Sequence, residues 1–289
     1  MIKLSFSSEI KQELNKNSNL ANKEIVKNEL LGYLISKNTT IVKNKEIRFS
    51  TESDYNINRF SKLLSNLNIN HKIDVSGKIF VITLKIKDIN IIQIKDGQIY
   101  LQTRNDIKEE ISKAIIRGAF MGSGTVNNPE GEYHLEIDFN NQENQEHFIK
   151  IIENLGINVK TFNTAIYIKE GEEISKFLAL IGANKAVMKF EDIRIQKEMR
   201  GKVNRLVNCE TANLNKTINA SIQQIAAIRK LQETGKFNKL DENLKEIALL
   251  RLENPEMSLI ELGKILKEPV GKSGVNYRLK KIIEIADCQ

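Results

Sequence analysis

One pattern occurs twice in this chain, and that repetition constrains its fold more than any other feature. The segment RFSKLLSNLNINHKI from Arg59 matches HFIKIIENLGINVKT from His147 at a constant offset of 88 residues. Phe60, Leu63, Leu64, Leu67 and Ile69 fall opposite Phe148, Ile151, Ile152, Leu155 and Ile157. Apolar residues at i, i+3, i+4 and i+7 make each segment a helix, and alternating stretches on either side read as strands. KEIRFST and YHLEIDF precede the helices; KIFVITLKI and TAIYIKE follow them. A further apolar helix opens each copy, KNELLGYLISKNTT around Gly32 and SKAIIRGAFMGSGTV around Gly118. The order helix, two strands, helix, two strands, repeated over about residues 20–100 and 107–188, predicts an α+β domain of two pseudo-symmetric halves spanning 1–190.

The opening helices carry small residues within apolar runs: Gly32 in the first, and Gly118, Ala119 and Gly122 in the second. A glycine inside a helix costs about 1 kcal/mol relative to alanine, so it needs a packing reason. Close approach of the two helices at a pseudo-twofold axis supplies one. Gly124 reads instead as a helix terminator.

Length and composition fit two domains without covalent staples. A chain of 289 residues is long enough for two cores. Its two cysteines, Cys209 and Cys288, lie too far apart in sequence to suggest a disulfide framework or a zinc ribbon. The opening MIKLSFSSEIKQELNK is charged and amphipathic, so no signal peptide is expected, and no apolar run approaches the roughly 18 residues of a membrane span. A cytoplasmic protein is predicted. Of the net charge of +7, +3 lies on residues 1–190 and +4 on the much shorter 191–289. Lys272 to Lys281 holds four basic residues and no acid, a bias towards polyanions.

Catalytic and cofactor signals are absent from the pattern. The three histidines, His71, His134 and His147, have neither i, i+4 partners nor cysteine neighbours. There is no P-loop and no dinucleotide fingerprint, and the GSG at 122–124 reads as a turn. Neither cofactor nor metal is expected.

From Glu191 the strand pattern stops. Residues 191–217 read as a helical linker rich in asparagine, and 218–289 as an all-α domain. LKEIALLRLENP is a helix ended at Pro255. Ser258 and Glu261 form the S-x-x-E capping box of the next helix, with Leu259, Leu262, Ile265 and Leu266 on its apolar side. EPVG (268–271) makes a turn, and Ser273 is placed to cap a third helix. Two short helices joined by about four residues, the second basic, are the mark of a helix-turn-helix. Val275, Leu279, Ile282 and Ile283 take one side of the last helix. At about 100° per residue the opposite side presents Ser273, Tyr277, Lys280 and Lys281, flanked by Asn276 and Arg278. Lysine and arginine suit phosphates and guanine edges, and asparagine suits adenine. Ser258, Lys264, Lys272, Ser273, Asn276, Tyr277, Arg278, Lys280 and Lys281 are therefore the expected DNA-contacting residues.

LLGYLISKN at 30–38 and IRGAFMGSG at 116–124 resemble two degenerate copies of the LAGLIDADG helix of homing endonucleases. That resemblance implies paired axial helices, a saddle of strands, and an acidic metal ligand at the eighth position of each motif. Lys37 and Ser123 stand there instead. Lysine repels a divalent ion and serine is a poor magnesium ligand, so the cleavage chemistry is expected to be lost. Glu130, Glu132, Glu136 and Asp138 follow the second motif, with Glu136 and Asp138 on one strand face.

The whole chain resembles the WhiA family of bacterial regulators. The match rests on RGAFMGSGTVNNPEGEYHLEI from Arg117, NCETANLNKT from Asn208, SLIELGKIL from Ser258 and GKSGVNYRLKKI from Gly271. The resemblance implies a non-enzymatic DNA-binding factor at the nucleoid, linked to cell division, chromosome segregation and, in spore formers, sporulation. Double-stranded DNA is the expected partner. A scaffold for division or segregation proteins, with DNA contact secondary, is the alternative. Because the pseudo-twofold lies within one chain, a monomer is expected.

Overall fold

The computed structural model describes residues 4–16, 20–89, 92–101 and 107–288. Residues 1–3 and 289, at the limits of the expected 1–190 and 218–289 domains, lie outside the described residues. The chain divides into two compact units, Met1–Glu198 and Met199–Gln289.

In the first unit α1 (Phe6–Lys16) precedes a repeat of α2 (Lys23–Leu34), β1 (Thr39–Val42), β2 (Glu46–Thr51), α3 (Asp54–Asn66), β3 (His71–Ser76) and β4 (Ile79–Lys85). A hairpin, β5 (Gln93–Lys95) and β6 (Gln98–Tyr100), leads to the second repeat. That repeat comprises α4 (Glu109–Ser123), β7 (Thr125–Val126), β8 (Leu135–Asp138), α5 (Gln142–Glu153), β9 (Lys160–Phe162) and β10 (Ala165–Ile168). α6 (Gly171–Leu180) follows, and α7 (Asn184–Glu233) carries the chain into the second unit.

The two repeats share one strand order, β1-β2-β4-β3 in the first and β7-β8-β10-β9 in the second, with every pairing antiparallel. The 88-residue offset extends to the helix caps. Ser53 accepts the amide of Asn56 at the start of α3, and Asn141 accepts that of Asn144 at the start of α5. Such caps satisfy amides that the helix itself leaves unpaired. Behind them Phe60, Leu63 and Leu64, and their counterparts Phe148, Ile151 and Ile152, are buried against the sheets. Alternation turns Ile47 and Phe49 of β2, and Leu135 and Ile137 of β8, towards the same core. Buried side chains of this size contribute about 1.5–3 kcal/mol each.

At the centre of the unit α2 and α4 meet backbone to backbone. A Cβ added at Gly118 would overlap the carbonyl oxygen of Glu29, and one at Gly32 would overlap that of Ile115. The approach brings three ionic side chains together out of water. Arg59 on α3 donates to both carboxylate oxygens of Glu29, at 2.7 and 2.9 Å, and Arg117 on α4 donates to the second at 2.9 Å. Glu29 and Arg59 are each 1% exposed. Burial is the largest influence on the Glu29 carboxyl and acts to raise it; the Arg59 hydrogen bond and the charges of Arg117 and Arg59 outweigh it and hold the group below its usual range.

In the second unit α8 (Glu242–Glu253), α9 (Leu259–Ile265) and α10 (Lys272–Asp287) follow a 3-10 turn at Lys236–Lys239. Leu244, Ile247, Leu262, Val275, Leu279 and Ile282 form their core with Ile228 and Leu231 of α7. The segment 191–217 is helical throughout, inside α7. Among the described residues no helix is long and apolar enough to cross a membrane.

Candidate nucleic-acid interface

The helix-turn-helix is built from α9 and α10, and local sequence explains how each is placed. Arg251, 1% exposed, reaches from α8 into the turn after it, where its Nη1 donates to the carbonyls of Asn254, Pro255 and Met257, the last at 2.7 Å. Ser221 of α7 donates to the same Pro255 carbonyl at 2.6 Å. Those bonds fix the chain where α9 starts. Ser258 then accepts the amide of Glu261, and the Glu261 carboxylate accepts the amide of Ser258 at 2.8 Å, a complete capping box. The turn folds back through the Val270 amide, which donates to the Gly263 carbonyl at 3.1 Å.

The cap of α10 differs from the sequence expectation. Gly271 is its N-cap, and Ser273 lies inside the first turn, exposed. The extended backbone at Gly271 carries the helix start one residue ahead of Lys272 with no side-chain cap. Ser273 is thereby free to point outward.

Lys272, Ser273, Asn276, Tyr277 and Lys280 share the exposed side of α10, and Tyr277 keeps 66% of its surface. Val275, Leu279 and Ile282 are buried opposite them, while Ile283 is only partly covered. Arg278 and Lys281 are half-buried at the flanks rather than on the crest. Ser258 is half-buried with its hydroxyl engaged in the capping box, and Lys264 is exposed on α9. No acid interrupts the exposed side of α10 until Glu284. At 1.5 Å per residue, Lys272 to Lys280 spans about 12 Å, a length that fits a B-DNA major groove about 12 Å wide.

The first unit offers a different surface. Pairing registers place Arg48, Lys72, Lys85 and Lys160 on the outer sheet faces, against Glu46, Asp74, Glu136 and Asp138. Opposite charges in equal number give little net attraction for a phosphate backbone.

Lys37 and Ser123, the residues that the resemblance puts at the acid positions of the two motifs, converge on one strand end. Lys37 forms an ion pair with Asp138 at 3.0 Å, and its amide donates to the Asp138 carbonyl at 3.1 Å. Ser123 donates its hydroxyl to the same carbonyl at 2.6 Å. The Asp138 carboxylate, the acid beside both positions, is thus held by an ammonium, and Lys37 and Ser123 supply no carboxylate oxygen for a divalent ion. The residues present do not fit that metal. Glu136 is hydrogen-bonded to His134 at 2.8 Å. Among the described residues no group of three His, Cys, Asp or Glu side chains is arranged to hold an ion.

Sequence pattern did not single out the Glu29–Arg59–Arg117 cluster or Arg251, because periodicity marks apolar faces and these are polar residues within them. It also passed over the β5–β6 hairpin, although Asp96-Gly97 between IK and QIY, both with positive φ, is a hairpin signal.

Two family models cover most of the second half of the chain in the order the structure shows. The WhiA LAGLIDADG-like domain matches residues 112–200, and the WhiA C-terminal HTH domain matches residues 203–286. A protein of Clostridium tetani named as a probable cell division protein WhiA is 38% identical over 312 residues, covering 98% of each chain. A protein of the same name from Clostridium perfringens is 51% identical over 183 residues, 62% of this chain. In that alignment the chain spans 58% of the relative's length. The crystal structure of full-length WhiA from Thermotoga maritima superposes with a TM-score of 0.61 at 32% identity, covering 98% of both chains. Duplicated α/β unit, helix-turn-helix and near-complete alignment agree: the chain belongs to the WhiA family, with a LAGLIDADG-like domain followed by an all-α HTH domain.

Proposed function

We propose that this chain is a non-catalytic, DNA-binding transcriptional regulator that acts at the cytoplasmic nucleoid, tied to cell division and chromosome segregation and, in a spore-forming host, to sporulation. The observation that carries the reading is the exposed side of α10, where Lys272, Ser273, Asn276, Tyr277 and Lys280 stand together without an acid. Residues 218–289 read DNA on this view, 191–217 link, and 1–190 keep the endonuclease architecture without its acids. The unit of action is a monomer on double-stranded DNA.

Replacing Lys272 and Lys280 by alanine is expected to lower affinity about tenfold and to flatten the slope of log affinity against log salt by about two, one for each lost phosphate contact. Asn276→Ala is expected to cost about 1–3 kcal/mol of discrimination at one base position. Fluorescence titration across a salt series checks both, and unchanged affinity in the double variant overturns the reading.

Ser123→Ala is expected to leave DNA binding unchanged, and the parent protein to leave supercoiled plasmid intact in magnesium. Nicking by the parent that disappears in Ser123→Ala would show a surviving nuclease.

One observation favours the scaffold alternative. Within the second unit α7 exposes Met199, Val203, Leu206, Val207, Leu214 and Ile222, each at 52% or more. Apolar surface of that extent is commonly covered by a partner. Normal division in cells whose protein lacks residues 256–289 would favour this reading over the regulator.

A further inference from the structure

Beside α10 lies a second basic feature that its exposed side does not include. A groove of about 280 Å³ is lined by Lys236, Lys239 and Lys281, with Asp241 as its carboxylate and Leu240, Leu244 and Ile285 as its apolar wall. We propose that this groove seats a backbone phosphate of the duplex that α10 reads, gripping the DNA on the α8 side of the recognition helix. The inference rests on the DNA-binding reading and adds a contact that reading does not contain.

The charges are unbalanced and uncompensated. Three ammonium groups face one carboxylate. Lys239 and Lys281 have no hydrogen-bond or ion-pair partner among the described residues, and Lys236 donates only to the Cys288 carbonyl, at 3.0 Å. Of the neighbouring acids, Glu242 holds Lys245 at 2.8 Å and Asp287 faces Lys230 at 3.8 Å, while Glu284 lies one turn beyond Lys281 on α10, outside the lining. Three lysines beside an apolar wall outnumber the one carboxylate among them, and a groove lined by one sign of charge focuses its field on an entering anion. The N-terminus of α8 opens at Asp241, whose side chain makes no capping hydrogen bond, and adds potential of the same sign.

DNA is the occupant the geometry favours over a free anion. Lys281 follows Lys280 directly on α10 and lies about 100° round the helix from it. Groove and exposed side are therefore parts of one positive band running from Lys272 to Lys281 and on to Lys236 and Lys239. A phosphate in the groove would belong to the strand flanking the major groove that α10 enters, since phosphate contacts of this kind fix the register of a reading helix.

The test uses the full chain with Lys236 and Lys239 both changed to alanine, and with both changed to arginine. For a random duplex of thirty base pairs, the alanine variant is expected to lose about tenfold in affinity near 0.1 M salt and about two from the salt slope. Its preference among sequences is expected to stay unchanged, because phosphate contacts carry no base information. The arginine variant is expected to retain the parent's binding. A parent that binds the duplex and an alanine variant of equal affinity and slope overturn the inference while leaving the regulator reading intact. A parent that binds no duplex overturns that reading itself. Millimolar inorganic phosphate that shifts the Lys236 and Lys239 NMR signals, where the duplex does not, assigns the groove to a free anion and also overturns it.

Discussion

Gly118→Ala is expected to destabilise the first unit by about 3 kcal/mol or more, beyond the usual 1–3 kcal/mol of core overpacking. Extra atoms in a core commonly meet side chains that rotate aside. Here the added methyl would meet the Glu29 carbonyl oxygen of α2, with the Cα of Gly32 at 3.1 Å behind it. Backbone has no rotamer to adopt, so the two helices would have to part, loosening the contact that joins the repeats. The same substitution at Gly201 should have the opposite sign. Gly201 lies within α7, and its added Cβ would come within 4 Å only of the end of the Arg205 side chain, at 3.5 Å. There alanine is expected to stabilise the helix by about 0.5–1 kcal/mol. Calorimetry on both variants checks the contrast. A Gly118→Ala protein that melts within about 2 °C of the parent would show that the helices yield easily.

The contrast explains how much of the fold was legible. Gly32 and Gly118 announced themselves because glycine in an apolar helix is costly and so signals a neighbour. The repeat was legible for a related reason: each half buries the same positions, so Phe60, Leu63 and Leu64 returned 88 residues later as Phe148, Ile151 and Ile152. Strand order was not legible at all. Nothing in KEIRFST or KIFVITLKI states that β2 and β4 pair at the centre with β1 and β3 outside, since alternation reports the buried face but not the neighbour.

The candidate interface was legible in kind and less so in detail. Basic and polar residues between Lys272 and Lys281 point to a polyanion wherever the helix lies. Which of them stand on the crest depends on α8, and Lys281 turns towards that helix, where it joins Lys236 and Lys239 from a turn some forty residues earlier. A helical wheel treats the neighbours of a helix as absent. The cap of α10 shows a similar limit: a serine two residues beyond a glycine satisfies the cap pattern, yet the chain enters the helix at Gly271. The resemblance puts Lys37 at an acid position of the motif, but nothing in the sequence points to its pairing with Asp138, 101 residues away.

Glu29→Gln is expected to cost the first unit about 3–5 kcal/mol at neutral pH, the usual penalty for removing one partner of a buried ion pair. Arg59, 1% exposed, and Arg117 both pair with the Glu29 carboxylate, so glutamine removes the charge that the two guanidiniums share while leaving them in place. For a unit of this size that corresponds to about 10 °C in melting temperature. The sign of the pH dependence follows from the carboxyl, which the folded state holds below its unfolded value of about 4.3. Its stabilising contribution is complete above that value and is lost as pH falls through the lower, folded one. The parent's first unit is therefore expected to lose stability below about pH 4, whereas Glu29→Gln, which has no proton to take up there, loses less over the same interval. Parallel melting curves from pH 7 to pH 3 separate this from a simple cavity or hydrogen-bond defect. If the variant and the parent fall equally steeply with acid, other carboxylates set the acid limit and the cluster is only a packing element. A shallower fall in the variant instead identifies Glu29 as the charge on which the joint between the two halves depends.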